Sequence, residues 1–502
     1  MAEAHRNSFT AARQTAVLAM AFLLLPEALL ADASPPAAVV SLPGKPNLLI
    51  GSFDLTAMGY QTEEFFSSGT ATRYALRRPA KSDGKLAAVV DGTAPYTTRY
   101  VVIRPSDPKK FNGTVLVEWL NVTSGQDTPA DWMVAHREML RRGYAYVAVS
   151  AQKVGVEGGT SVMGMGLPLK KANAKRYGGL SHPGDAFSFD IYSQAGAAVK
   201  TKGASAMLGG LMPKRVLAIG ESQSAMFLTT YVNAIDPLAK TFDGFLVHSR
   251  FGSGASLAGF RTADDPQAMP PHLSFRPDLR VPVLSLVTET DLIDGRLSGY
   301  AGSRVKDHKT LRVWELAGAA HADGYLFTGA FADDGKRSAA ELAKIFTPTS
   351  SAPGSKLDKP YNPGMPHHYV LQGALNALDS WVRSGKPPVS TKPVETMLEG
   401  GKTVFSLDSR GNAKGGVRTP WTDVPTMRLS GIGNSGGFIG ALVGVGEPFD
   451  VEKIGGLYPG GKTEYLRRFT KALDAAIGRG HILKEDRQEI LDIAAINYHG
   501  AR

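Results

Sequence analysis

The sequence predicts an α/β fold in which a mainly parallel central sheet is covered by helices, with β additions on its N-terminal side, a cap-like insertion and a C-terminal extension. Two observations predict it. After the turn signal Phe111-Asn112-Gly113, short apolar runs rich in branched residues alternate with longer helical stretches, the pattern of parallel strands joined by helical crossovers. One of these runs, Arg215-Val216-Leu217-Ala218-Ile219, leads directly into Gly220-Glu221-Ser222-Gln223-Ser224 and then a helical stretch. A strand, a sharp turn and a helix in that order expose a serine at the carboxyl end of such a sheet.

Taken from the beginning, Arg6 and Arg13 precede an apolar run from Ala16 to Leu25, and Ala31-Asp32-Ala33 has the small-x-small form of a cleavage site. Residues 1–33 therefore read as a signal peptide cleaved near Ala33, which directs the chain to the periplasm or the exterior. The run is too short, and Pro26 ends it too soon, for a membrane span, so no stable membrane insertion is expected. Residues 34–47 read as an extended leader. Residues 48–502 are expected to form one domain, with its core at about 113–385. From Leu48 to Arg104, β-rich runs such as 71–76 and 97–103 alternate with Gly, Pro and Asp turns and suggest antiparallel strands. Core strands are expected at 114–120, 145–150, 215–220, 244–248, 281–287 and 311–316, each short and apolar as strands covered on both faces should be. Helices are expected at 131–142, within the Ala-rich stretch 190–212, and at 367–385, where Leu371, Leu375, Leu378 and Trp381 share a face. The Gly-, Pro- and Asp-rich stretch 251–280 reads as a cap-like insertion above the site, and a second insertion occupies about 328–366. Residues 386–502 form the C-terminal extension, with helices at 462–479 and 484–497.

With 43% hydrophobic and 20% charged residues in 502, the chain can bury a sizeable core and is not globally disordered. It has no cysteine, which excludes disulfides and thiolate chemistry. The formal charge of +10 becomes +11 when the leader's three acids and two arginines are removed. The lysines and arginines are scattered and form no basic stripe with interleaved aromatics, so no nucleic-acid partner is expected.

The chemistry is carried by Ser222 and two later strand ends. The positions two before and two after a serine on such a turn must be small, which Gly220 and Ser224 satisfy. A serine hydroxyl is inert until a histidine takes its proton and a carboxylate orients that histidine. In sheets of this kind the order is serine, acid, histidine, the later two each just past a strand. The strand at 281–287 is followed by Glu289 and Asp291, and the strand at 311–316 by Ala317-Gly318-Ala319-Ala320-His321. Asp291 is the expected acid and Glu289 the alternative. His182, His248, His367 and His368 are further candidates for the pocket lining. An acyl-transfer serine also needs two donors facing the developing oxyanion. The amide of Gln223 supplies one, and the loop after the first core strand supplies the other through Asn121 or Val122.

The run Val115-Leu116-Val117-Glu118-Trp119-Leu120-Asn121-Val122, the elbow Gly-Glu-Ser-Gln-Ser-Ala, Ala317-Gly318-Ala319-Ala320-His321, and Gly411-Asn412-Ala413-Lys414-Gly415-Gly416-Val417-Arg418 together resemble the large secreted bacterial α/β-hydrolase-domain proteins. The resemblance covers about residues 45 to 500. It implies an α/β-hydrolase fold and an esterase-like Ser/acid/His site, and leaves the substrate open.

Two further motifs are set aside. Gly456-Leu457-Tyr458-Pro459-Gly460-Gly461-Lys462-Thr463 fits a phosphate-loop pattern, but a polar stretch and not a buried strand precedes it; Gly431-Ile432-Gly433-Asn434-Ser435-Gly436 lacks a surrounding βαβ unit. No cofactor is expected, and no histidine and carboxylate spacing suggests a metal site. The expected partner is a small-molecule ester or related acyl substrate, cleaved by a serine hydrolase. An amidase or acyltransferase would use the same triad, a lyase could use it only as a base, and a secreted ligand-binding protein could carry the fold without catalysis.

Overall fold

The computed structural model describes residues 38–500 except 165, 202–206, 261–264, 266 and 296. The expected signal peptide lies outside the described residues. A nine-stranded sheet organises the remainder, in the order β1-β2-β3-β5-β4-β6-β7-β8-β9. The first three strands are β1 (Ala38–Leu42), β2 (Tyr60–Leu76) and β3 (Ala88–Pro105). They pair antiparallel with one another, and β3 pairs antiparallel with β5 (Ala145–Val149). The β additions are thus two long strands of the same sheet, where the sequence suggested short separate runs. From β5 across β4 (Thr114–Trp119), β6 (Arg215–Glu221), β7 (Gly244–His248), β8 (Val283–Thr288) and β9 (Leu311–Leu316), every pairing is parallel.

The order places the site. Strand β4 lies between β5 and β6, so the chain leaves it in one direction along the sheet and later continues in the other. The carboxyl ends of β4 and β6 therefore flank a switch point, where α/β sheets form their crevice. Every residue of β4, β5, β7 and β8 is buried, because helices cover both faces.

One face carries α1 (Ala130–Arg141), the second α2 (Ser188–Ala198) and α3 (Gln223–Thr230). The expected Ala-rich helix stops at Ala198, and part of the stretch beyond lies outside the described residues. A single helical turn α4 (Glu289–Leu292) follows β8, and α5 (Met365–Ser384) presents Leu371, Leu375, Leu378 and Trp381, spaced three and four apart, to the sheet. The described part of 251–280 contains no helix or strand, and the fully buried Arg250 anchors it. Its guanidinium donates to the carbonyls of Phe251, Gly252 and Leu273, between the rings of Phe275 and Tyr300.

The C-terminal extension shares the core with the sheet. Its helices α7 (Gly461–Gly478) and α8 (Arg487–Asn497) bury Tyr465, Phe469, Leu473, Ile490 and Ile493 in the same cluster as Trp132 and Tyr369. Between them and α5 lies the short helix α6 (Gly437–Val443), whose Leu442 carbonyl accepts from the Ala322 amide. The phosphate-loop-like run spans the end of the helix Val451–Leu457 and the start of α7, with a helix and not a strand leading into it, and its Gly460 amide donates to Glu464. No helix of the described residues is long and apolar enough to cross a membrane.

Candidate active site

Ser222 sits where β6 becomes α3, with φ 61° and ψ −117°. A residue with a Cβ rarely adopts this conformation, and it persists only where neighbours hold it. The Ser222 amide donates to the His248 carbonyl at 3.0 Å, and its carbonyl accepts from Met226 at 3.1 Å. A Cβ on Gly220 would lie 3.0 Å from both Ser224 Cβ and Leu228 Cδ1, which is why the motif requires a small residue there.

His321 comes from the loop after β9. Its Nε2 is 2.7 Å from Ser222 Oγ, and its Nδ1 is 2.6 Å from Asp291 Oδ1. The second Asp291 oxygen accepts from the Thr288 amide at 2.8 Å and from the Thr288 hydroxyl at 2.7 Å, so strand β8 fixes the carboxylate. The ring of Phe251 tilts against the imidazole at 5.1 Å. His321 and Asp291 are buried while Ser222 is partly exposed, so only the hydroxyl end of the line meets solvent.

Glu289, the alternative acid, faces elsewhere. It accepts from the Gly318 amide at 2.6 Å and from the Ser430 hydroxyl and Gly431 amide at 2.9 Å each. Its task is to tie the His321 loop to the C-terminal extension. Gly431 reaches that carboxylate because it has no side chain: a Cβ would stand 2.5 Å from the Ala319 oxygen and the Thr290 nitrogen. The glycine-rich run that mimics a dinucleotide motif is therefore a close-packing device.

Of the amides expected to face an oxyanion, that of Gln223 opens α3, where a helix has unbonded N–H groups. The Asn121 amide donates to the Thr128 carbonyl at 3.0 Å, so it is turned into its own loop. The Val122 amide donates to Gln223 Oε1 at 3.2 Å, placing it beside the residue after the serine. Of the two loop amides, Val122 is the one next to Ser222's neighbour.

Sequence reasoning passed over Glu221. Its Oε1 is 3.3 Å from His321 Nε2, and Asn121 Nδ2 donates to its Oε2 at 3.2 Å. The available signal was a carboxylate ending an otherwise apolar buried strand, since such a group needs a partner. Burial foremost, with Asp131 and Asp291 adding to it against the opposing pull of His321, raises the Glu221 carboxyl to about 7. For His321, burial alone would lower the imidazole. Asp291 and Glu221 outweigh it and raise the ring to about 9.

Behind this line lies a second one. His248 Nδ1 is 2.8 Å from Asp131 Oδ1, His248 Nε2 is 2.7 Å from His367 Nε2, and His367 Nδ1 is 2.8 Å from Asp323 Oδ2. All four residues are buried, and the Nε2 to Nε2 contact requires that one ring donate and the other accept. His368 stacks on Tyr325, and His182 bonds the Ala151 carbonyl. None of these four imidazoles bonds the Ser222 hydroxyl, which His321 holds.

A serine hydroxyl, an imidazole and a carboxylate in hydrogen-bonded line, beside helix-opening amides, can together transfer an acyl group. Among solved structures, a putative dienelactone hydrolase from Klebsiella pneumoniae subsp. pneumoniae MGH 78578 aligns at TM-score 0.28 and 11% identity over 54% of this chain and 92% of its own. A putative acetyl xylan esterase from Bacteroides fragilis NCTC 9343 aligns at 0.28 and 12% over 56% and 70%. A glucuronoyl esterase from Solibacter usitatus aligns at 0.31 and 9% over 57% and 82%. No curated protein matches the chain. The sequence profile of the family described as an alpha/beta hydrolase domain matches residues 30–492, and the chain belongs to that family.

Proposed function

We propose that this protein is an exported serine hydrolase that cleaves small carboxylic esters through Ser222, His321 and Asp291. The observation that carries the reading is the continuous line from Ser222 Oγ through His321 to Asp291, with contacts of 2.7 and 2.6 Å. Ser222 itself is held at a positive φ. His321 Nε2 accepts the hydroxyl proton as Ser222 Oγ attacks the ester carbonyl, and Asp291 stabilises the imidazolium that forms. The developing oxyanion is met by the amides of Gln223 and Val122, of which the latter must exchange its Gln223 side-chain partner for the substrate oxygen. Nε2 then returns its proton to the departing alkoxide, and water, activated by the same imidazole, releases the acyl group from Ser222. Export rests on the leader at residues 1–33.

The experiment is hydrolysis of p-nitrophenyl esters from acetate to long acyl chains by the wild type and by Ser222→Ala. The wild type should hydrolyse part of the series. The variant should retain the wild-type melting temperature and lose activity by about 10³-fold or more. Equal activity in the two would remove Ser222 from the mechanism.

A further inference from the structure

The imidazole of His321 has a carboxylate at each edge, and the triad uses only one of them. Asp291 holds Nδ1, the edge away from the serine, while Glu221 Oε1 stands 3.3 Å from Nε2, the edge that exchanges the proton with Ser222 Oγ. We propose that Glu221 is a second counter-ion of His321, which stabilises the imidazolium during acyl transfer and sets the pH at which the ring becomes a base. This rests on the hydrolase reading above.

The geometry leaves Glu221 few other roles. It is 7% exposed, and among the described residues no lysine or arginine pairs with it and its only other side-chain partner is the neutral amide of Asn121. A carboxylate facing the lone pair of a neutral Nε2 is repelled by it. The pair is therefore stable with one proton between them, carried either by the carboxyl beside a neutral ring or by the ring beside a carboxylate. The surroundings set where that proton sits. Asp291 on α4, Asp131 at the start of α1 and Asp323 beyond the His321 loop contribute negative charge, and His367 at the start of α5 opposes it. Burial raises the Glu221 carboxyl to about 7, while the two acids hold the imidazole at about 9.

The reacting form has lost the shared proton, which leaves a neutral ring between two carboxylates; from there the proton count closes without Glu221 changing its charge. As Ser222 Oγ bonds to the carbonyl carbon, its proton moves to Nε2; as the ester C–O bond breaks, that proton passes from Nε2 to the leaving alkoxide. Between those events the imidazolium lies between two carboxylates, both preformed and largely shielded from water, where an ionic contact is stronger than in bulk solvent. The same side chain joins the catalytic line to the loop after β4, because Asn121 Nδ2 donates both to Glu221 Oε2 and to the Glu221 carbonyl, at 3.2 Å each.

The test is the pH dependence of kcat/KM for p-nitrophenyl acetate in the wild type and in Glu221→Gln, which keeps shape and an acceptor for Asn121 but removes the charge. Removing a negative charge beside the ring lowers its pKa, so the acid limb should shift to lower pH by about one unit or more. The plateau should fall about tenfold as the imidazolium loses a counter-ion. An acid limb at the same pH in both proteins would overturn the proposal, whatever the plateau does. A second measurement needs no change at Glu221: in Ser222→Ala, NMR titration of the His321 ring should show two coupled steps, one from the neighbouring carboxyl. A single step at the ordinary histidine value would equally overturn it. The two readings fail separately. Full activity in Ser222→Ala defeats the hydrolase assignment, whereas an inactive Ser222→Ala with an unshifted Glu221→Gln profile defeats only the role given to Glu221.

Discussion

Two chains of carboxylates and imidazoles run side by side at the carboxyl end of this sheet, and they are built from nearly the same contacts. In one, Asp291 and His321 meet at 2.6 Å; in the other, Asp131 meets His248 and Asp323 meets His367, at 2.8 Å each. The difference is where each chain ends. The first ends on a partly exposed hydroxyl held at a positive φ, with helix-opening amides beside it. The second closes on itself through the His248 to His367 contact, buried throughout. An aspartate–histidine pair is therefore not a catalytic signature by its distance alone. What sets the first line apart, and supports the proposed mechanism, is the accessible serine at positive φ on its end, whereas the closed line joins α1, β7, the His321 loop and α5 as a polar rivet.

That comparison can be broken at either chain. Asp291→Asn would leave the shape of the first line and remove its charge, presenting the wrong tautomer of His321 to the serine. The loss in kcat should be about 10³- to 10⁴-fold with the fold intact, and a loss below tenfold would make Asp291 a structural residue like its counterparts. His367→Leu cuts the second line and leaves Asp323 buried without its imidazole. Unfolding by urea should show a loss of about 3 kcal/mol or more, while the molecules that remain folded keep their esterase activity to a far greater extent than Asp291→Asn does. A stable but inactive His367→Leu would show that the two lines are one machine. The smallest effect is expected at Gln223→Ala, which removes the side-chain acceptor of the Val122 amide and keeps the backbone. KM for acetate esters should change by a few-fold at most, with kcat held or raised; a loss comparable to that of Asp291→Asn would mean that the side chain does more than occupy a vacant amide.

The fold was legible from residue 113 onward because parallel strands buried on both faces are short continuous apolar runs, and six of them stand within a residue or two of their expected limits. The N-terminal β region was less so. Gly69, Gly92 and Pro95 read as breaks, yet β2 and β3 run through them, since a long twisted antiparallel pair tolerates such residues where its pairing is not buried on both faces. At the site, Ser222, Asp291 and His321, which stand in one hydrogen-bonded line, could be singled out as candidates because each follows an apolar strand. Asp291 was preferred to Glu289 on its distance from the strand, and it is Asp291 that meets His321. They occupy one helical turn, where two positions amount to a rotation of about 200°, so the carboxylates point to opposite sides. Their assignments depend on Gly431, more than a hundred residues away and invisible to any local pattern. Glu221 was passed over for a different reason: a carboxylate ending an apolar buried strand signals that it has a partner, but only the contact with His321 says which.

The most direct measurement is covalent labelling by a fluorophosphonate followed by mass spectrometry of the labelled peptide. The account predicts one adduct, on Ser222, absent in Ser222→Ala and formed much more slowly when His321 is replaced by alanine. An unlabelled wild type, or an adduct on any other residue, would contradict it.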